Sequence, residues 1–274
     1  MQGAVGAANR VVGQWGDQSL DFQRRFGGIA RLYGERGLAR LAASDVCVVG
    51  VGGVGSWVVE ALARSAVGAM TLIDMDHVAE SNVNRQLPAI EPELGRAKVA
   101  ALRERIALIN PACRVDTLEE FVSIDNVAAL IDARHAWVID CIDSFRVKAA
   151  MIAFCRRRKQ PIITVGGAGG QRDPTRVRVS DLRRTEQDPL LARTRKLLRQ
   201  DYGFPVNPKR RFHVPSVWSD EPQLAPPGSC DQTASGSLNC GGYGACMPVT
   251  ASFGLAAAGF VIDRLVGVHG SEPA

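Results

Sequence analysis

Four glycines stand directly after a short apolar run, and they are the first residues in this sequence arranged for chemistry. Val46 to Val49 is rich in β-branched residues and reads as a buried strand. Gly50, Gly52, Gly53 and Gly55 follow at once, and Ser56 to Ser65 reads as a helix with Val58, Val59, Leu62 and Ala63 on its apolar side. Strand, glycine turn and helix start bring backbone N–H groups and the positive end of a helix dipole against phosphate. Asp74 lies about 20 residues after the glycine loop, where such a fold places the carboxylate that binds ribose hydroxyls. Asp76, Asn82, Arg85, Gln86, Lys98 and Asp143 join it as polar residues at or near the carboxyl ends of proposed strands. In an open α/β sheet those ends converge on one crevice.

That crevice would carry phosphate-facing amides, a ribose acid, two cations and a further acid, Asp143, suited to a magnesium ion. A dinucleotide site has no need of an Arg and a Lys near the phosphates. Arg85 and Lys98 make sense if a nucleoside triphosphate is clamped while negative charge builds on it. The reaction suggested is attack by a carboxylate on the α-phosphate, giving an acyl adenylate and pyrophosphate. The protein then needs no nucleophile of its own, only positioning and charge stabilisation. Lys98 falls in the first turn of a helix, where the dipole disfavours a cation by roughly 0.3–1 kcal/mol. It is expected to be either solvated or held by an anion.

The elements that must position these residues alternate. Strands are expected at Met70 to Ile73, Arg114 to Leu118, Trp137 to Ile139 and Ile162 to Val165, with helices at Gly95 to Ile109, Asp125 to Ala133 (capped by Ser123 or Asp125) and Phe145 to Lys159. This predicts an α/β, Rossmann-like, doubly wound and mostly parallel sheet with helices on both faces, followed by a C-terminal extension with a long crossover loop. Residues 1–20, Gly- and Ala-rich at the start, are expected to be disordered. Phe22 to Leu41 reads as one or two short helices. Residues 21–268 form a single domain, with a nucleotide-binding half over 21–165 and a substrate or dimer half over 166–268. In the second half, Arg176 to Ser180 alternates as a half-buried strand, and Asp188-Pro189 opens a helix. Residues 203–245, dense in Pro, Gly and Ser, read as one long loop. Val249 to Val268 is apolar but interrupted by Asp263 and Arg264, so it reads as a core or dimer helix rather than a membrane span.

The net charge of +5 leans towards an anionic partner but decides little alone. The seven cysteines contain no C-x-x-C pair, which argues against a zinc ribbon. With no apolar leader pattern at the start, a cytoplasmic protein is expected, without stable membrane insertion.

Together, Gly50 to Gly55, Ile73 to Asp76, Ser81 to Gln86, Lys98 and Asp140 to Asp143 resemble the ubiquitin-activating-enzyme-like adenylation family, which includes the activators of the thiamine and molybdopterin sulfur carriers. Arg25 to Gly34, Gly166 to Thr175, Gln187 to Leu190 and Asn239 to Gly244 are similar to its branch of tRNA threonylcarbamoyladenosine dehydratases. The resemblance covers roughly Phe22 to Val266. It implies ATP over the glycine loop, Asp74 at the ribose, Asn82, Arg85 and Lys98 on the phosphates, magnesium at Asp143, and a homodimer in which Arg25 or Arg31 reaches the partner's γ-phosphate. It further implies a tRNA substrate carrying threonylcarbamoyladenosine, whose side-chain carboxylate is adenylated before an amide nitrogen closes a five-membered ring. The basic residues of the second half, among them Arg176, Arg178, Arg193, Arg195 and Arg199, suit a polyanion. Cys230 resembles a loop cysteine able to accept sulfur from a cysteine desulfurase partner. The other readings are an activator of a ubiquitin-like sulfur carrier using Cys230 or Cys240, a nicotinamide-dependent oxidoreductase, and a non-catalytic sulfur-relay protein.

Overall fold

The computed structural model describes residues 22–224 and 243–267. Seven strands form one sheet: β1 (Asp45–Val49), β2 (Ala69–Ile73), β3 (Arg114–Leu118), β4 (Trp137–Asp140), β5 (Ile162–Val165), β6 (Val177–Asp181) and β7 (Pro215–Ser219). Their spatial order is β3-β2-β1-β4-β5-β7-β6. All neighbours run parallel except the edge pair β6 and β7. The near-continuous apolar character of β1, β2, β4 and β5 reflects burial on both faces, as a parallel sheet requires.

One face is covered by α1 (Phe22–Ala42), α2 (Gly55–Arg64), α3 (Lys98–Ile109) and α7 (Met247–Val266), whose Leu41, Val58, Leu62, Leu102, Phe253 and Val261 share one apolar cluster. The opposite face is covered by α4 (Val127–Leu130), α5 (Phe145–Arg157) and α6 (Pro189–Asp201), with Met151, Ile152 and Leu198 in a second cluster. The doubly wound expectation holds. The N-terminal helical segment is one element with a break at Gly34, where φ is +75°.

Three expectations need correction or refinement. The stretch 203–245 is not one loop: β7 lies within it, inserted between β5 and β6. Its sequence, Pro-Ser-Val-Trp-Ser, hides a strand because Ser216 and Ser219 are fully buried without being apolar. The helix expected over Asp125 to Ala133 is a single turn, Val127–Leu130, capped at Asn126 rather than Asp125. Ser123 does contribute, since its hydroxyl accepts a hydrogen bond from the Asn126 amide at 3.3 Å. Finally, α7 is long and apolar enough to span a membrane, yet most of it is buried against α2, α1 and the sheet. It is a core helix. The first 20 residues and the segment with Cys230 and Cys240 lie outside the described residues.

Candidate nucleotide-binding active site

The chain runs from β1 outward through β2 to β3, then crosses back to β4 on the other side of β1. A cleft of about 690 Å³ opens at this reversal, the position where doubly wound sheets bind ligands. It is lined by the glycine loop, Asp74, Asp76, Asn82, Arg85, Gln86, Lys98 and Asp143, so these sequence-derived candidates are brought together. Gly55 is the exception, since it lies behind the loop and holds its shape. A Cβ there would sit 1.8 Å from the Gly50 carbonyl oxygen, and Gly50 itself has φ of +81°. Gly55→Ala is therefore expected to destabilise the fold by about 1–3 kcal/mol through overpacking, read by urea unfolding, and to weaken nucleotide binding.

Asp74 is pinned on both oxygens. Oδ2 accepts from the Val51 amide at 2.7 Å and Oδ1 from the Asp76 amide at 2.9 Å. Burial pushes its carboxyl above the ordinary range, while the nearby Lys98 charge and the two amides pull the other way. Lys98 is 4% exposed, and its Nζ donates to Asp76 Oδ2 at 2.7 Å. Of the two expectations for this lysine, the one held by an anion is correct. The Asp76 side chain is 73% exposed, so the pair opens into the cleft rather than into the core.

Arg85 lies along the glycine loop, with its aliphatic stem over Gly53, and Nη1 donates to the Ser81 carbonyl at 2.8 Å and to Asn84 Oδ1 at 2.9 Å. Its own carbonyl accepts from Trp57 Nε1 at 3.0 Å and from the Thr250 hydroxyl at 3.4 Å. Asn82 is buried and shapes the segment, Oδ1 accepting from the Ala79 amide at 3.2 Å. Gln86 is buried beside Gly52, and its Oε1 has no hydrogen-bond partner among the described residues.

The two candidate arginines of α1 separate. Arg25 Nη1 donates to the carbonyls of Ile109 at 3.1 Å and Leu108 at 3.4 Å, capping the end of α3. Arg31 is exposed. The basic residues of the second half separate as well. Arg176 and Arg178 are ion-paired with Asp220, and the hydroxyl of Thr185 accepts from Arg195, whereas Arg193 is exposed.

Sequence reasoning missed a buried group beneath the cleft. Asp140 and Lys148 are fully buried, Nζ to Oδ2 at 2.9 Å, and the Thr164 hydroxyl donates to the same oxygen at 2.7 Å. Asp140 Oδ1 accepts from the Ile142 amide at 3.3 Å, next to Asp143. Asp188 accepts from the Gly167 amide at 2.9 Å and caps α6 through Leu191 at 2.9 Å. Burial pushes its carboxyl up, and the Lys148 charge opposes that. One buried cation thus pairs with Asp140 and acts on Asp188, the carboxylates that shape two cleft loops. The signal was Lys148 itself, a lysine within the apolar run Val147, Ala149, Ala150 and Met151. Phe121, Leu190 and Tyr243 to Ala245 also line the cleft and were not singled out as site residues. The thiols of Cys47, Cys113, Cys141 and Cys155 are all pushed up by burial, Cys113 and Cys155 to about 12, so none of these is a poised nucleophile.

A family model described as the ThiF family matches residues 24–272. A tRNA threonylcarbamoyladenosine dehydratase of Haemophilus influenzae is 48% identical over 247 residues, covering 90% of this chain and 95% of the relative. A crystal structure of E. coli tRNA N6-threonylcarbamoyladenosine dehydratase in complex with ATP matches with a TM-score of 0.83 at 46% identity, covering 91% of this chain and 97% of that one. The complex of the same enzyme with AMP gives 0.83 at 47% identity, with the same coverage.

Proposed function

Because the chain belongs to the ThiF family, we propose that it is an adenylate-forming enzyme that uses ATP to dehydrate threonylcarbamoyladenosine in tRNA, next to the anticodon. The observation that carries this reading is the cleft itself: a glycine loop, a pinned acid and two cations, Arg85 and Lys98, on one crevice, in a chain similar along nearly its whole length to such a dehydratase. Residues 21–268 act as one adenylation domain.

In this reading the triphosphate lies over Gly50, Gly52 and Gly53, and the remaining lone pairs of Asp74 receive the ribose hydroxyls. Lys98 stays tethered to Asp76 and turns its other donors to the phosphates; Arg85, Asn82 and Gln86 complete the grip. The side-chain carboxylate attacks the α-phosphorus, its oxygen forms the new P–O bond, and pyrophosphate departs. The amide nitrogen of the same side chain then attacks the acyl carbon. Its proton is lost, AMP leaves and a five-membered ring remains, so that one water has been removed overall. Ring closure is intramolecular, so proximity supplies much of its rate. Among the described residues no three metal-ligating side chains cluster. A single carboxylate fits magnesium nonetheless, because that ion is usually held by one or two carboxylates and the substrate's phosphates. Asp143 would hold it, and the ion would neutralise phosphate charge.

The enzyme works as a cytoplasmic homodimer. Arg31 is the better candidate to cross to the partner's γ-phosphate, since Arg25 is occupied at the end of α3. Ring closure needs no thioester, so Cys230 and a cysteine desulfurase partner stand apart from the reaction. Pyrophosphate release that requires tRNA carrying threonylcarbamoyladenosine supports this function. Release that requires instead a small protein ending in Gly-Gly would support the sulfur-carrier activator. Asp74→Asn is expected to weaken ATP binding by about tenfold, the loss of one charge-assisted hydrogen bond of roughly 1.5 kcal/mol. Unchanged affinity in a calorimetric titration would remove Asp74 from the ribose.

A further inference from the structure

At the rim of the cleft, Phe145 opens α5 directly after the lining residues Asp143 and Ser144. Its ring carries two guanidinium groups, that of Arg146 at 5.4 Å and that of Arg193 at 6.0 Å from the centroid. Arg193 belongs to α6, one turn beyond Leu190, which also lines the cleft. Two separate helices therefore bring a cation to the same half-buried ring, beside the place where the reacting atoms must lie. Both arginines are exposed, and neither has an ion-pair partner among the described residues.

Several other surface arginines are matched with acids. Arg64 and Arg105 share Glu60, Arg114 and Arg134 share Asp45 and Asp116, and Arg176 and Arg178 share Asp220. The pair on Phe145 shares an aromatic ring and is matched with no acid among the described residues. Such an arrangement presents flat, cationic stacking surface whose N–H donors are held by no ion pair among the described residues. Single-stranded RNA is recognised by this combination: a base stacked on an aromatic side chain or guanidinium plane, with a phosphate on the same cation.

We propose that Phe145, Arg146 and Arg193 form a platform that receives the unpaired nucleotide adjoining the target adenosine, its base stacked on the arginine–aromatic group and its phosphate held by the guanidiniums. The inference rests on the tRNA reading above and adds the place where the loop is gripped. The platform sets which adenosine side chain can enter the cleft, because the neighbouring nucleotide must be seated for the carboxylate to reach the α-phosphate.

The test uses the full chain and an anticodon stem-loop RNA carrying threonylcarbamoyladenosine. RNA affinity is measured across a salt series for the wild type, the double variant Arg146→Gln/Arg193→Gln, and Phe145→Leu, which keeps the apolar packing of the ring's buried edge. ATP affinity, expected to be unchanged in all three, reports that the cleft is intact. The double variant is expected to bind RNA about tenfold more weakly, with the log–log salt slope reduced by roughly 0.7 for each phosphate that the variant no longer neutralises. Phe145→Leu is expected to lose affinity with a smaller change in slope. Wild-type affinity and slope in the double variant, alongside wild-type turnover of modified tRNA, would overturn the platform and leave the function standing. A wild-type protein that neither binds nor modifies the RNA would overturn both.

Discussion

Lys98→Ala is expected to abolish AMP formation while the protein remains folded. The ammonium is almost fully buried at the edge of the cleft and held by Asp76 at 2.7 Å. Its position is therefore fixed before any nucleotide arrives, which is the condition for a cation to stabilise charge that appears only as pyrophosphate separates. Losing one such preorganised group typically lowers turnover by roughly 10²–10³. The fold tolerates the change because the partner left behind, Asp76, is mostly exposed and is rehydrated rather than stranded. Lys98→Arg does not rescue, since a planar fork cannot occupy the space of a compact ammonium beside Asp76. AMP formation by Lys98→Ala within tenfold of wild type, in protein with a wild-type unfolding midpoint, would take Lys98 out of the reaction.

Lys148→Met is expected to have the opposite profile, a large loss of stability. Here both partners are fully buried, and removing the cation leaves the Asp140 carboxylate without compensation apart from the Thr164 hydroxyl and the Ile142 amide. Breaking a buried pair in this way costs about 3–5 kcal/mol, read as a fall in the urea midpoint. The double variant Asp140→Asn/Lys148→Met removes both charges and is expected to recover much of that stability, because the asparagine oxygen still accepts from Thr164. A single variant as stable as wild type would show that the pair contributes nothing to holding β4 and β5 at the cleft.

The nucleotide-binding half was legible because its physics is local. β1, β2, β4 and β5 are short β-branched runs buried on both faces, and the glycines announce a turn that no other residue type can make as tightly. Lys98 was legible as a question: a cation in the wrong turn of a helix, answered by Asp76 from another segment. What stayed hidden depends on contacts distant in sequence. β7 packs buried serines, and Trp218 Nε1 finds its acceptor in Ser180 across the edge pair at 2.9 Å, so neither alternation nor hydropathy marks it. The segment 123–133 has several helix-favouring residues, but only one turn forms, between Asn126 and Ile131. The Arg25 contacts to α3 and the Arg193 guanidinium on Phe145 join elements that the sequence alone does not place side by side.

The cleft is expected to use ATP to close a ring in tRNA. The direct measurement is mass analysis of nucleosides from tRNA bearing threonylcarbamoyladenosine after incubation with the protein. With ATP and wild-type protein, that nucleoside should be replaced by one lighter by a single water; without ATP, or with Lys98→Ala, it should persist. Conversion without ATP, or pyrophosphate release with the nucleoside mass unchanged, would contradict ATP-dependent ring closure by this protein.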